Sequence, residues 1–200
     1  MKAIALAAIL SSVSTLAFAG PEIGAPAPAF EGVTSTGETI SLDQFEGQNV
    51  VLEWTNHDCP FVKKHYETGN MQATQTAVND QDGVWISIIS SAPGKQGNVS
   101  ADEANGLTES REAKPDYVIL DESGAIGRAY AAKTTPHMFV INGDGALKYD
   151  GAIDDKPSAN HATVEGAENY LLAAFTNVLA GNEVETAQTK PYGCSVKYGS

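Results

Sequence analysis

Apolar and polar positions cluster, alternate and break along this chain so as to predict a run of short strands and helices. After a Pro-rich stretch carrying Pro21, Pro26 and Pro28, residues 30–42 read as two short strands around the turn signal Thr36-Gly37, a β-hairpin. Residues 49–55 are apolar, rich in β-branched and aromatic side chains and interrupted only by Glu53. They stop at Asn56-His57-Asp58, the pattern of a buried strand. A helix then begins at Cys59, because Pro60 suits the first helical position, where its missing N–H costs nothing and its φ is already helical. Phe61, Val62 and Tyr66 give this helix an apolar side, Gly69-Asn70 interrupts it, and residues 71–78 continue as helix.

Residues 84–89 form the next buried strand, followed by a Pro/Gly/Ser loop over 91–100. A polar surface helix is predicted over 101–113, where Ser100 and Glu103 match a capping box. Then come a strand over 117–120, a short helix over 123–131, a strand over 138–141, the turn Gly143-Asp144-Gly145 and its partner strand over 146–150. The most amphipathic helix spans 164–179. A hairpin followed by β-α-β-α-β-α-β-β-α predicts an α/β fold, a central mixed sheet flanked by helices with an N-terminal β-hairpin.

The first nineteen residues follow a different logic. Lys2 precedes an apolar and small-residue run over 3–16, and Ala17 and Ala19 flank Phe18 as a leader-cleavage site requires; this is the pattern of a secretory signal peptide. Ser11, Ser12, Ser14 and Thr15 break the run, which falls short of the ~20 consecutive apolar residues of a membrane span. Export to a periplasm or the exterior is therefore expected, with a domain over 20–181 and a tail over 182–200. The chain's 12 basic and 25 acidic residues give a net charge of −13, which repels phosphate backbones and anionic lipid alike. Neither nucleic acid nor, once the leader is removed, a membrane is an expected partner. Hydrophobic residues make up 42% of the chain, enough for a core without help from disulfides.

Two cysteines, Cys59 and Cys194, permit at most one intramolecular bridge in an oxidising compartment. A permanent bridge closing so long a loop would contribute about 4–5 kcal/mol in the chain-entropy account. The position of Cys59 suggests a second use. At a strand-to-helix junction its sulfur faces unpaired backbone N–H groups and the positive end of the helix dipole, which favour thiolate. Lys63 lies one turn further on, and His57 and His137 are further candidates to tune the thiolate. An inert buried thiol is the plainer alternative.

The run Glu53-Trp54-Thr55-Asn56-His57-Asp58-Cys59-Pro60-Phe61-Val62, with Thr135-Pro136 ahead of Phe139-Val140-Ile141, resembles the active-site strand, loop and helix and the cis-proline segment of the thioredoxin fold. From about residue 24 to residue 181 the chain resembles the redoxin group, the alkyl hydroperoxide reductase and thiol-specific antioxidant family, in its peroxiredoxin-like branch. The tail Pro191-Tyr192-Gly193-Cys194-Ser195-Val196-Lys197-Tyr198 resembles the Gly-Cys-Ser ending of peroxiredoxin-like proteins. The resemblance implies a thiol oxidoreductase without a cofactor, with an antioxidant or thiol-redox role. Cys59 would attack a protein disulfide or a small peroxide, and an external thiol would restore it. Thr135, Pro136 and Pro60 would shape the substrate site, and Glu53 would match the buried acid that exchanges protons with the thiol.

The departures from that pattern carry equal weight. Val62 stands where a Cys-x-x-Cys motif has its second thiol, and Asn56 where peroxiredoxins have Thr or Ser. The arginine expected just before the strand at 138–141 is missing, which leaves Arg111 and Arg128. Cys194 is then the one available resolving thiol; a cycling, a permanent and an intermolecular bridge all remain open. A reading of another class is a non-catalytic thioredoxin-fold binding protein or a copper-handling chaperone, with Cys59, His57, His65 and His137 as soft-metal ligands.

Overall fold

In the computed structural model the described residues are 20–199, so the expected leader over 1–19 lies outside them. The hairpin forms from β1 (Glu31–Val33) and β2 (Thr39–Ser41), antiparallel with Glu31 opposite Ser41. Down the chain follow β3 (Val50–Trp54), α1 (Pro60–Glu67), α2 (Asn70–Asn79), β4 (Val84–Ile89), α3 (Ala101–Ser110) and β5 (Tyr117–Leu120). Then come α4 (Ala125–Ala129), β6 (Thr134–Thr135), β7 (His137–Ile141), β8 (Leu147–Gly151), α5 (Tyr170–Leu179) and β9 (Cys194–Ser195).

Five strands make the central mixed sheet, in the order β5-β4-β3-β7-β8. β3 is the middle strand, parallel to β4 and antiparallel to β7, and all five of its residues are buried. The two-residue period of a strand sends its side chains alternately to two cores. Leu52 and Trp54 pack with Phe30, Ile40, Ile126 and Tyr130 under the hairpin and α4. Val51 packs on the other face with Val62, Met71, Val78 and Phe175 from α1, α2 and α5. The continuous apolar pattern at 49–55 and 84–89 thus reflects strands covered on both faces.

Helix boundaries depart from expectation where the backbone itself ends them. The helix expected over 164–179 begins only at Tyr170: Gly166 adopts a φ of +70°, which no helix continues, and the Asn169 side chain accepts the Leu172 N–H as a new start. The capping box of α3 forms as expected, with the Ser100 Oγ accepting the Glu103 N–H and the Glu103 carboxylate accepting the Ser100 N–H. That helix ends at Ser110, short of residue 113, and Glu112 just beyond has a φ of +52°. Asp154 is interior, only 2% exposed, although Asp155 and Lys156 beside it are half-buried. No helix of the described residues is long and apolar enough to cross a membrane.

The tail returns across the sheet's end. β9 pairs antiparallel with β6, Thr135 opposite Cys194, and the Val196 N–H donates to the Lys133 carbonyl at 3.1 Å. Beyond it the Ala92 N–H donates to the Lys197 carbonyl, and the Tyr198 hydroxyl donates to the Ala132 carbonyl. Gly124 and Gly127 of the α4 region leave the room that Tyr198 fills, and the Arg128 guanidinium lies 4.8 Å from its ring centre.

Candidate functional site

Cys59 is the N-cap of α1, with extended backbone angles, and Pro60 holds the first helical position. The loop before it is fixed by Asn56: its side-chain oxygen accepts the Asp58 N–H at 2.9 Å, and its amide nitrogen donates to the Gln96 carbonyl at 3.2 Å. Asn56 is thus a turn-maker, both ends of its amide spent on the backbone. The Cys59 sulfur is fully buried, 3.0 Å from the Thr135 carbonyl oxygen and 2.7 Å from the Cys194 sulfur. Both cysteines are free thiols in this structure, and Cys194 is half-buried.

Thr135 faces Cys59 where the segment enters β7 beside β3, and the Thr135-Pro136 bond is cis. Gly193 makes the tail's approach possible. It has a φ of +140°, and a Cβ there would lie 2.0 Å from the Thr135 carbonyl oxygen. The two sulfurs divide the protons unequally. Burial works to raise the Cys59 thiol, but the Cys194 thiol and the Val62 and Cys194 amides favour its thiolate more, and the net effect is downward. Burial and the neighbouring Cys59 sulfur both push Cys194 up.

Glu53 is fully buried in β3, opposite Ser87 in β4. Its carboxylate accepts hydrogen bonds from the Tyr66 hydroxyl at 3.0 Å, the Trp85 indole N–H at 3.1 Å and the Ser87 hydroxyl at 2.9 Å. Burial nevertheless holds its pKa above the ordinary carboxylate range, since these donors offset only part of the desolvation. Among the described residues Cys59 is not a hydrogen-bond partner of Glu53; the acid reaches α1 through Tyr66.

None of the three candidate tuning residues is a hydrogen-bond partner of the Cys59 sulfur among the described residues. Lys63 is exposed, its side chain beside Glu67 and the C-terminal end of α3. His57 lies 3.5 Å from the Asp58 carboxylate. His137 is buried with Nε2 2.7 Å from Asp150 and Nδ1 accepting the Lys133 N–H, so both nitrogens are engaged within the sheet's end. His65 is buried against Tyr192 and Asn70. Among the described residues no three His, Cys, Asp or Glu side chains meet as a metal site. The two arginines are also engaged elsewhere. Arg111 donates to the His57 carbonyl and lies over the Tyr66 ring, while Arg128 donates to the Ser123 and Gly199 carbonyls.

Sequence reasoning missed Tyr66 as the partner of Glu53 and the buried group of Lys64, His65, Asp154 and Tyr192 beside the tail. Tyr66 was read as an apolar helix position, which it also is. Its spacing from Phe61 and Val62 carries no sign of the hydroxyl's partner. A lysine and a histidine beside that apolar face were the one visible irregularity of α1.

A mixed five-stranded sheet between helices, with a Cys-Pro helix start facing a cis-proline, defines a thioredoxin-like protein. Residues 22–171 match the Redoxin family, and the chain belongs to it. A hypothetical protein from Sinorhizobium meliloti 1021 superposes with a TM-score of 0.76 at 21% identity, covering 91% of this chain and 97% of that one. An uncharacterized conserved protein from Geobacillus kaustophilus gives 0.77 at 23% identity, covering 89% and 93%. The thioredoxin domain of a thiol-disulfide oxidoreductase from Bacteroides vulgatus gives 0.51 at 20% identity, covering 72% of this chain and 96% of that domain. At these identities the likeness is one of fold. No match was found among curated proteins.

Two outcomes follow from the geometry. Gly193→Ala forces a side chain into the Thr135 carbonyl at a left-handed φ. Strain of about 1–3 kcal/mol should detach the tail, raising native-state alkylation of Cys59 by roughly tenfold or more. An unchanged alkylation rate counts against the tail as the cover of Cys59. For Glu53, a carboxyl whose folded pKa is raised gives stability that is full below the unfolded value and lost as pH rises through the folded one. Glu53→Gln lacks that loss. In denaturant titrations from pH 5 upward it should gain on the wild type by about 1.4 kcal/mol per pH unit until the folded pKa is passed. A pH-independent difference would show that Glu53 is ionised throughout.

Proposed function

We propose that this protein is an exported thiol–disulfide oxidoreductase in which Cys59 is the attacking thiolate and Cys194 the resolving thiol. The observation that carries the reading is the meeting of the two sulfurs, 2.7 Å apart at the start of α1 and against the Thr135 carbonyl. Export rests on the leader-like pattern over 1–19.

The exchange runs in two balanced steps. The Cys59 thiolate attacks one sulfur of a substrate disulfide; a new S–S bond forms at Cys59 and the other substrate half leaves as a thiolate. Cys194 then loses its proton and attacks the Cys59 sulfur. The Cys59–Cys194 bond forms, and the second substrate half leaves as a thiolate that accepts a proton. An external dithiol reverses the bond and completes the cycle. Thr135 and Pro136 provide the backbone edge beside the sulfur, and Pro60 starts the helix that presents it. Glu53 acts at one remove, fixing α1 through Tyr66.

Disulfide substrates are favoured over peroxides by what surrounds the thiol. Peroxide activation needs donors aimed at the departing oxygen. Asn56 spends its amide on the turn, and Arg111 and Arg128 are bound to carbonyls and aromatic rings elsewhere. A metal-handling role has no ligand cluster to support it among the described residues.

The test uses the reduced protein, mixed with oxidised glutathione and, separately, with hydrogen peroxide. Acid-quenched mass spectra should show the Cys59–Cys194 disulfide forming with glutathione. Cys59→Ser should show no reaction, and Cys194→Ser should stop at a single glutathione adduct on Cys59. Reaction with peroxide alone would reassign the oxidant. A Cys59–Cys194 bond that thiols cannot reduce in the native protein would make it a static staple.

A further inference from the structure

One buried polar group plays no part in the exchange as written. Lys64 lies in α1, five residues past Cys59, and its side chain is fully buried 3.5 Å from the Asp154 carboxylate. Its ammonium donates to the Lys156 carbonyl at 3.1 Å and to the Tyr192 hydroxyl oxygen at 3.2 Å. The Tyr192 hydroxyl in turn donates to Asp154 Oδ1. His65 completes the set. Its Nδ1 accepts the Asn70 amide at 2.8 Å, so Nε2 carries the proton and donates to the Tyr192 oxygen at 3.1 Å. Burial, then the Lys64 charge, push the His65 pKa down to about 3, so the ring stays neutral.

Tyr192 is the tail's contribution to this group, two residues before Cys194. Its oxygen accepts from two donors and donates once, and its ring packs edge-on to Phe61 with centres 5.8 Å apart. Departure of the tail takes one hydrogen-bond partner from each of Lys64, Asp154 and His65, which are at least 98% buried; Lys64 keeps the Lys156 carbonyl, Asp154 the Lys156 N–H and His65 the Asn70 amide. The Lys64–Asp154 pair survives that loss, but a buried polar group that gives up a hydrogen bond without gaining water is unfavourable, and the shared Tyr192 hydroxyl ties three members into one arrangement.

We infer that Tyr192 is a positioning residue: through Lys64, Asp154 and His65 it latches the tail to α1 and keeps Cys194 at Cys59 in the reduced protein as well as the oxidised one. This rests on the redox reading above and adds what sets its equilibrium. Residues 187–189 are themselves bonded to Asp150 and Ala152, so a short segment leads from that anchor to Cys194; a short flexible linker alone gives an effective concentration of about millimolar. The latch raises it by removing the alternatives. A substrate disulfide on Cys59 is then resolved quickly, and the internal disulfide resists reduction.

The experiment equilibrates wild type and Tyr192→Phe in glutathione redox buffers and quantifies dithiol, internal disulfide and glutathione adduct by mass after acid quench. Loss of the hydroxyl should shift the equilibrium about tenfold toward dithiol, about 30 mV for this two-electron couple, with the Cys59 adduct accumulating. The phenyl ring keeps the Phe61 contact, so lost packing is not what is measured. An equilibrium and adduct level equal to wild type overturn the latch while leaving the redox reading intact. If wild type shows no reversible internal disulfide, the redox reading fails and takes this role with it. Hydrogen exchange of the wild-type Val196 amide needs no variant: equal protection in both redox states supports the latch, and free exchange on reduction overturns it.

Discussion

Everything distinctive about this molecule depends on one short stretch of backbone pairing, the antiparallel contact of residues 134–135 with residues 194–195. Through it the chain's second cysteine, far away in sequence, arrives 2.7 Å from the first. Two residues of ladder are too little to hold a chain end by themselves, since a hairpin-sized contact is marginal in water. The pairing persists because both flanks are anchored. Upstream, Tyr192 enters the buried Lys64–Asp154 group; downstream, Val196, Lys197 and Tyr198 bond to Lys133, Ala92 and Ala132. The glycine between Tyr192 and Cys194 lets the two anchors and the pairing coexist.

Two buried carboxylates show two ways of living with the same desolvation cost. Glu53 sits in the middle strand with three neutral donors and no cation, and it keeps a raised pKa. Asp154 faces a buried ammonium and takes the tyrosine's proton-bearing hydroxyl as well. The first arrangement tolerates a proton on the acid. The second sets a carboxylate against a lysine, and one of its hydrogen bonds is supplied by the tail. Both are tied to α1, the helix that presents Cys59, so the helix is set from behind by Tyr66 and from the side by Lys64 and His65.

Much of this was legible in the sequence, for reasons that can be named. β3 and β4 could be read because strands buried on both faces are apolar without alternation, and α1 because Pro60 marks a helix start whatever surrounds it. The Ser100–Glu103 box was legible because both of its bonds are local. The start of α5 was misplaced because amphipathic spacing continues through Gly166, whose backbone angle interrupts the helix without changing the pattern. The Asp154 group was invisible for a different cause. Its members come from three distant segments, and a charged residue paired in the interior looks in one sequence like a charged residue in water. His137, a candidate to tune the thiolate, has a partner that the sequence does not show: its Nε2 lies 2.7 Å from Asp150.

Placing the second thiol on a tail rather than on the helix changes what the site can do. In a Cys-x-x-Cys helix both sulfurs ride one rigid turn, and the attacking thiol is reachable whichever state the pair is in. Here the helix position is filled by Val62, fully buried, and Cys59 itself is covered by the tail that carries its partner. Access and resolution are therefore opposed. Under the proposed exchange, a tail held tightly resolves quickly but hides the nucleophile, and a loose one exposes Cys59 but leaves its mixed disulfides unresolved. In that exchange an incoming thiol would attack Cys194, half-buried in the reduced protein, with Cys59, whose thiol is pushed down, as the leaving group. On that reading reduction begins without lifting the tail, whereas attack on a substrate requires it to lift. The strength of the tail's anchors, rather than the chemistry of either thiol alone, then sets how often the cycle starts.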